Sequence, residues 1–167
     1  MKDGKISLVL AFVAAVLAAT VWGAIVQTQY NLAGLSSIGA DISSGLRLRT
    51  TAADIFSGFS PTYAGYIAAP SLLVAFVVAS FVARGAQRTS RLAWFGAAGG
   101  VALLLGIPVV NYLSPVALLV GATRDLSCLV LMALGGVFAG LLFAAMLQRV
   151  DPLRRAHRTP MEASVAH

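Results

Sequence analysis

Charged residues are missing from four long stretches of this chain, and that pattern limits its fold more than any other feature. No Asp, Glu, Lys or Arg occurs between Lys5 and Asp41, between Asp54 and Arg84, between Arg91 and Arg124, or between Asp125 and Arg149. A helix needs about 20 apolar residues to cross the roughly 30 Å hydrocarbon core of a bilayer. Each stretch is long enough, which places four spans at about 6–27, 61–83, 92–113 and 126–148. Of the 167 residues, 59% are hydrophobic and only 11% are charged, where a soluble domain carries about 25%. A water-soluble enzyme domain, a disordered chain and a fibrous repeat are thereby excluded.

The first stretch begins as a secretory signal would, with Lys2 and Lys5 ahead of an apolar run and small residues at Ala18 and Ala19. Signal cores are about 7–15 residues long. This run continues through Val21, Trp22 and Val26 and reads as a retained span.

Basic residues set the orientation, because cytoplasmic flanks hold the excess of Lys and Arg. One side collects Lys2, Lys5, Arg84, Arg88, Arg91, Arg149, Arg154, Arg155 and Arg158; the other has only Arg47, Arg49 and Arg124. Both termini and the Arg84–Arg91 loop are therefore expected in the cytoplasm of a cell with an inner membrane. Trp22, Tyr30, Tyr63, Tyr66 and Tyr112 are expected near the outer headgroups, and Trp94 and Phe95 near the inner ones. The net charge of +6 belongs to this topology and not to nucleic-acid binding.

The fold class is an all-α integral membrane protein, an up-down bundle of four transmembrane helices with short amphipathic helices in the first outer loop. Residues 1–150 form one transmembrane domain, including an outer cap at 28–60. Residues 151–167 form a flexible cytoplasmic tail, and Pro152 is expected to end the last span. Within the cap, Leu35, Ile38, Ile42 and Leu46 recur at helical spacing. Two helices are predicted, at about 37–48 and 52–57, separated near Thr50. Thr51 and Asp54 resemble a capping box. Ser60-Pro61 and Ser114-Pro115 read as helix starts, and Asp125 as an acid in the first turn of span 4.

Lipid tails are as apolar as leucine, so spans must associate through close packing. Ala11, Ala15, Ala19 and Gly23 form a small-residue stripe on span 1; Gly96 with Gly100 and Gly136 with Gly140 repeat the spacing on spans 3 and 4. Pro70 and Pro108 are expected to kink spans 2 and 3.

No titratable acid, base or histidine lies within the spans; His157 and His167 are both in the tail. Proton relays and ion pathways use such groups, so the sequence points to no catalytic residue, no metal site and no cofactor. Cys128, the single cysteine, reads as a buried space-filler. Gln27, Asn31, Arg47, Arg49, Asp54, Asn111, Arg124 and Asp125 remain as a polar group that could meet at the outer mouth. The function expected is that of a non-catalytic accessory or scaffold subunit, its partners being the bilayer and either another membrane protein or a second copy. The alternative is a binder or facilitator of a small lipophilic or weakly polar molecule, in a pocket between spans 2 and 3 near Pro70 and Pro108.

The orientation has a direct test. In a Cys128→Ala background, a cysteine placed by Ala86→Cys is expected to resist an impermeant maleimide in intact cells, and one placed by Asp41→Cys to react.

Overall fold

The computed structural model describes residues 2–113 and 125–164, with side chains at 5–87, 89–113 and 125–149. Among the described residues, four helices are long and apolar enough to cross a membrane. The chain is an all-α, multi-pass membrane protein. Helix α1 runs over Lys2–Ser37, α2 over Ser44–Phe56 and α3 over Phe59–Thr62; a π-helical segment covers Tyr63–Ala68 and leads into α4, Ala69–Val82. Helix α5 spans Arg88–Leu113 and α6 spans Leu126–Ser164.

Nothing in α1 interrupts the helix until Gly39. There the backbone turns to φ 91°, a left-handed conformation that glycine adopts without steric cost. Ala40 N–H donates to Leu35 O at 3.2 Å and Gly39 N–H to Ser36 O at 3.1 Å, the paired bonds of a Schellman ending. Helix α1 thus continues ten residues beyond the span read from the sequence, and the predicted helix at 37–48 does not start there. Helix α2 begins instead at Ser44, capped by Ser43, whose Oγ accepts from Leu46 N–H at 3.3 Å. It passes unbroken through Thr50. Thr51 is no cap, because its hydroxyl donates back to Arg47 O at 2.8 Å. One helix of 13 residues replaces the two expected.

Span 2 also starts differently. Gly58 precedes α3 without a side-chain cap bond, and Ser60 lies buried in the first turn, so Ser60 is not the cap. Pro70 has no N–H for the residue four back and its ring crowds that carbonyl. The helix answers by widening just before it: Ala69 N–H donates to Ala64 O, five residues back. Pro108 lies inside α5, on its exposed side. Asp125 caps α6, with Ser127 N–H donating to its Oδ1 at 3.0 Å. The backbone of α6 continues past Pro152 to Ser164, beyond the end expected at that proline; the ring's loss of one helix bond does not stop the helix here. Ser114 and Pro115 lie outside the described residues.

The four spans close into a square in which α6 packs against α1 and α5, and α5 packs against α4. Span 2 meets α1 mainly through α3 and the π-helical segment. One phenylalanine from each span builds the centre of the half away from α2. Phe76 stacks on Phe143 at 4.5 Å, Phe95 lies 5.8 Å from Phe76, and Phe12 meets Phe76 edge-on at 6.4 Å. Phe95 is therefore a core residue and not part of an interfacial belt.

The tightest seam joins α5 to α6. A methyl group on Gly99 would strike the Gly136 carbonyl, one on Gly136 the Gly99 carbonyl, and one on Gly140 the Phe95 carbonyl. The backbones themselves are in contact, which dispersion and Cα–H···O contacts reward even in lipid. Gly96 and Gly100 sit beside the Leu141 and Val137 side chains instead. Ala11, Ala15 and Ala19 are buried, and Gly23 faces the Tyr63 ring. Outward-facing residues such as Val9, Leu10, Leu17, Val74 and Leu105 form the lipid-facing surface.

Gly99→Val is expected to destabilise the protein by about 1–3 kcal/mol through overpacking of backbone on backbone. Gly34, with nothing near its Cβ position, is the control: Gly34→Ala is expected to leave stability unchanged or raise it by up to about 1 kcal/mol. Thermal unfolding in detergent measures both.

Candidate polar site at the α2 end of the bundle

Polar side chains concentrate where α2 returns alongside α1. Thr28 pairs with Asp54, and Gln29 with both Thr51 and Arg47. Rising numbers on α1 meet falling numbers on α2, so the two helices are antiparallel. Thr28 Oγ lies 2.6 Å from Asp54 Oδ2 and 2.7 Å from Ala24 O, placing its one proton between two acceptors. Gln29 Nε2 donates to Thr51 Oγ at 2.9 Å, and Arg47 Nη1 donates to Gln29 Oε1 at 3.3 Å. Gly58 makes room for Asp54, since a Cβ there would lie 2.6 Å from Asp54 Oδ1.

This arrangement turns α2 inside out. Its half-buried residues include Arg47, Thr51 and Asp54, which face the bundle, while Leu46, Leu48 and Phe56 are exposed. The spacing of the apolar residues announced an amphipathic helix but not which face would be covered. The polar face is covered because Thr28 and Gln29 on α1 offer it partners.

Of the eight residues expected at the mouth, the structure brings Arg47 and Asp54 onto α1 beside Gln27. Asn31 and Arg49 are exposed, and Asn111 is half-buried on α5. Asp125 is occupied as the cap of α6. Arg124 lies outside the described residues. Thr28 and Gln29 were not singled out from the sequence, and Thr51 was read only as a helix cap, yet they carry the contacts. An uncharged threonine or glutamine near a span end gives no signal until its partner is known.

Below this clasp lies a second group. Gln27 is 6% exposed, Ser60 7% and Tyr63 0%. Gln27 Oε1, Ser60 Oγ and the Tyr63 hydroxyl are buried without a hydrogen-bond partner. Leaving such a group unpartnered costs about 1–3 kcal/mol. Tyr63 was expected at the headgroups; it lies in the core because Gly23 leaves space for its ring, with a Cβ position only 2.8 Å from Tyr63 Cε1. Phe59 stacks on its other side at 5.0 Å. Tyr66 and Tyr112 do face outward.

Two further bonds tie α6 to α1. Trp22 Nε1 donates to Leu131 O at 2.7 Å, its ring lying against Gly135. Tyr30 and Ser127 share a hydrogen bond of 2.8 Å. Between spans 2 and 3, Gly106 abuts Ser71, and Leu72, Leu103 and Ile107 are fully buried. The two helices are thus packed together beside Pro70 and Pro108, where the sequence suggested a pocket. Among the described residues, no group of three or more His, Cys, Asp or Glu side chains is placed to hold a metal ion. The chain matches no protein family, no curated protein and no solved structure.

The clasp predicts energetic coupling between helices. A double-mutant cycle on Thr28→Val and Asp54→Ala is expected to return about 1.5–3 kcal/mol, the range for a hydrogen bond to a carboxylate. Asn31→Ala and Arg49→Ala, at exposed positions, are expected to change stability by less than about 0.5 kcal/mol.

Proposed function

We propose that this protein is a non-catalytic accessory subunit of a membrane complex. It lies in the inner membrane with both termini in the cytoplasm and presents the α1–α2 hairpin on the outer side. The observation that carries this reading is the exposed apolar surface of that hairpin. The 33 residues of α1 from Lys5 to Ser37 measure about 50 Å at 1.5 Å per residue, against about 30 Å of hydrocarbon. Its last ten residues therefore extend beyond the hydrocarbon, and α2 runs back beside them. Leu35, Ile38, Leu46 and Leu48 are 48%, 79%, 45% and 75% exposed there. An apolar patch held outside the lipid core marks a surface that meets another protein.

The internal seams support the same reading. Gly96, Gly99 and Gly100 of α5 and Gly136 and Gly140 of α6 face one another's helix, while Gly106 meets Ser71, Gly135 meets Trp22 and Gly23 meets Tyr63. Among the described residues, no other element covers the apolar side chains of the hairpin. The polar clasp fixes its shape before a partner arrives, which lowers the ordering cost of association.

The test is gentle purification from native membranes followed by mass spectrometry of the intact assembly. The expected result is a complex with a second membrane protein. Combining Ile38→Asp with Leu48→Asp is expected to release that partner while the chain keeps its melting temperature. A monomer that carries no partner, or a complex untouched by the double substitution, would count against the proposal.

A further inference from the structure

The three unpartnered polar groups are the feature that neither bundle packing nor a docking role explains. They converge on one seam. Gln27 is one turn beyond Gly23 on the same face of α1, and Gly23 touches the oxygen-bearing end of the Tyr63 ring. Ser60 is one turn before Tyr63, and α1 contacts both α3 and the π-helical segment. Gln27 Oε1, Ser60 Oγ and the Tyr63 hydroxyl are all buried in that seam without a protein partner. The next residue on α1, Thr28, holds Asp54 of α2, and Asp54 lies against Gly58 at the start of α3, so the clasp adjoins the seam.

We propose that Gln27, Ser60 and Tyr63 form a binding site for a neutral hydroxyl group, supplied by water or by the head of an uncharged lipid, and that the Thr28–Asp54 contact is its latch.

The chemistry sets the class. The Gln27 oxygen only accepts, so the ligand must bring an O–H or N–H donor. The Ser60 and Tyr63 hydroxyls each donate and accept, so one hydroxyl group, itself donor and acceptor, complements all three. A bare carbonyl or ether does not. No charged side chain belongs to the group, and burying an unpaired charge is far costlier than burying a hydroxyl; the ligand is neutral. Entry requires α3 and the π-helical segment to part from α1. Wide π turns recur at functional sites, and here one carries Tyr63. Gly58 sits at the break between α2 and α3, a natural hinge. Cys128 of α6, fully buried, is one turn before Met132, whose side chain reaches Gly23 beside the Tyr63 ring, and serves as a built-in reporter of entry.

The experiment uses the full chain in detergent micelles, with the variant Gln27→Met/Tyr63→Phe, which keeps size and removes the polar atoms. Melting temperatures are read with added diacylglycerol, which carries one free hydroxyl, and with triacylglycerol of the same acyl chains, which carries none. Cys128 alkylation by iodoacetamide is timed in parallel. If a lipid is the source, diacylglycerol raises the wild-type melting temperature by several degrees, triacylglycerol does not, and the variant ignores both. If water is the source, neither lipid acts, but wild-type Cys128 is alkylated at least fivefold faster than in the variant, and Thr28→Val speeds it further. In either case the variant alone melts at or above the wild-type temperature. Equal responses to the two lipids, or no lipid response together with equal alkylation rates, would overturn the site. So would a variant that melts well below wild type, because the polar atoms would then be making bonds that hold the fold.

Discussion

Inside a bilayer the hydrophobic effect that holds soluble cores together is nearly silent, since a leucine loses little by facing lipid. What remains is the contact between α5 and α6, where Gly99, Gly136 and Gly140 let two backbones touch. Elsewhere on these two helices the glycines meet side chains, Gly106 that of Ser71 and Gly135 that of Trp22. The pair forms a stiff unit on which the other spans are mounted. Phe95 and Phe143, one from each member, offer the surface on which Phe76 of α4 stacks. Trp22 of α1 hooks onto the other side of α6 through the Leu131 carbonyl. Placing an indole donor against a helix carbonyl requires a small neighbour, and Gly135 supplies it.

The two halves of the molecule are held by different physics. Away from α2, aromatic rings from four helices interlock. Toward α2, α4 gives way to a π-helical turn and then α3, and hydrogen bonds take over from packing. Hydrogen bonds gain strength where water is scarce, and an unpartnered group there is correspondingly costly. The α2 half is thus the part of the bundle whose energy depends on which partners are in place. That half has the capacity to change.

The four spans were legible because charge is so expensive in hydrocarbon that its absence is unambiguous. The small-residue spacing named Gly96, Gly100, Gly136 and Gly140; in the structure Gly136 meets Gly99, one position away from Gly100, and Gly140 meets Phe95 and Gly96. Spacing identifies a face to within about 100° of helix rotation, and only the partner helix decides which glycine meets it. Helix boundaries at the α2 end were read less well. Of the four glycines in this stretch, α1 runs through Gly34, α2 contains Gly45, and breaks fall at Gly39 and Gly58. The polar site was half legible. Arg47 and Asp54 stood out as charges, while Thr28, Gln29 and Thr51 matter through pairing across helices, which a linear pattern does not record.

The burial of Tyr63 shows how these levels connect. Its ring needs the missing side chain of Gly23, and its position in the chain depends on the wide turn that Pro70 imposes just beyond it. A tyrosine at that depth could be a phenylalanine at lower cost, as could Gln27 a methionine, if packing alone were served. Polar atoms that weaken a fold without completing a bond within it persist where something outside the fold uses them. The π-helical turn places that liability at the one seam where span 2 meets α1 through short elements and not through a continuous helix. The weakest contact of the square and its least satisfied polar groups coincide, so that seam is the one where the bundle opens at least cost.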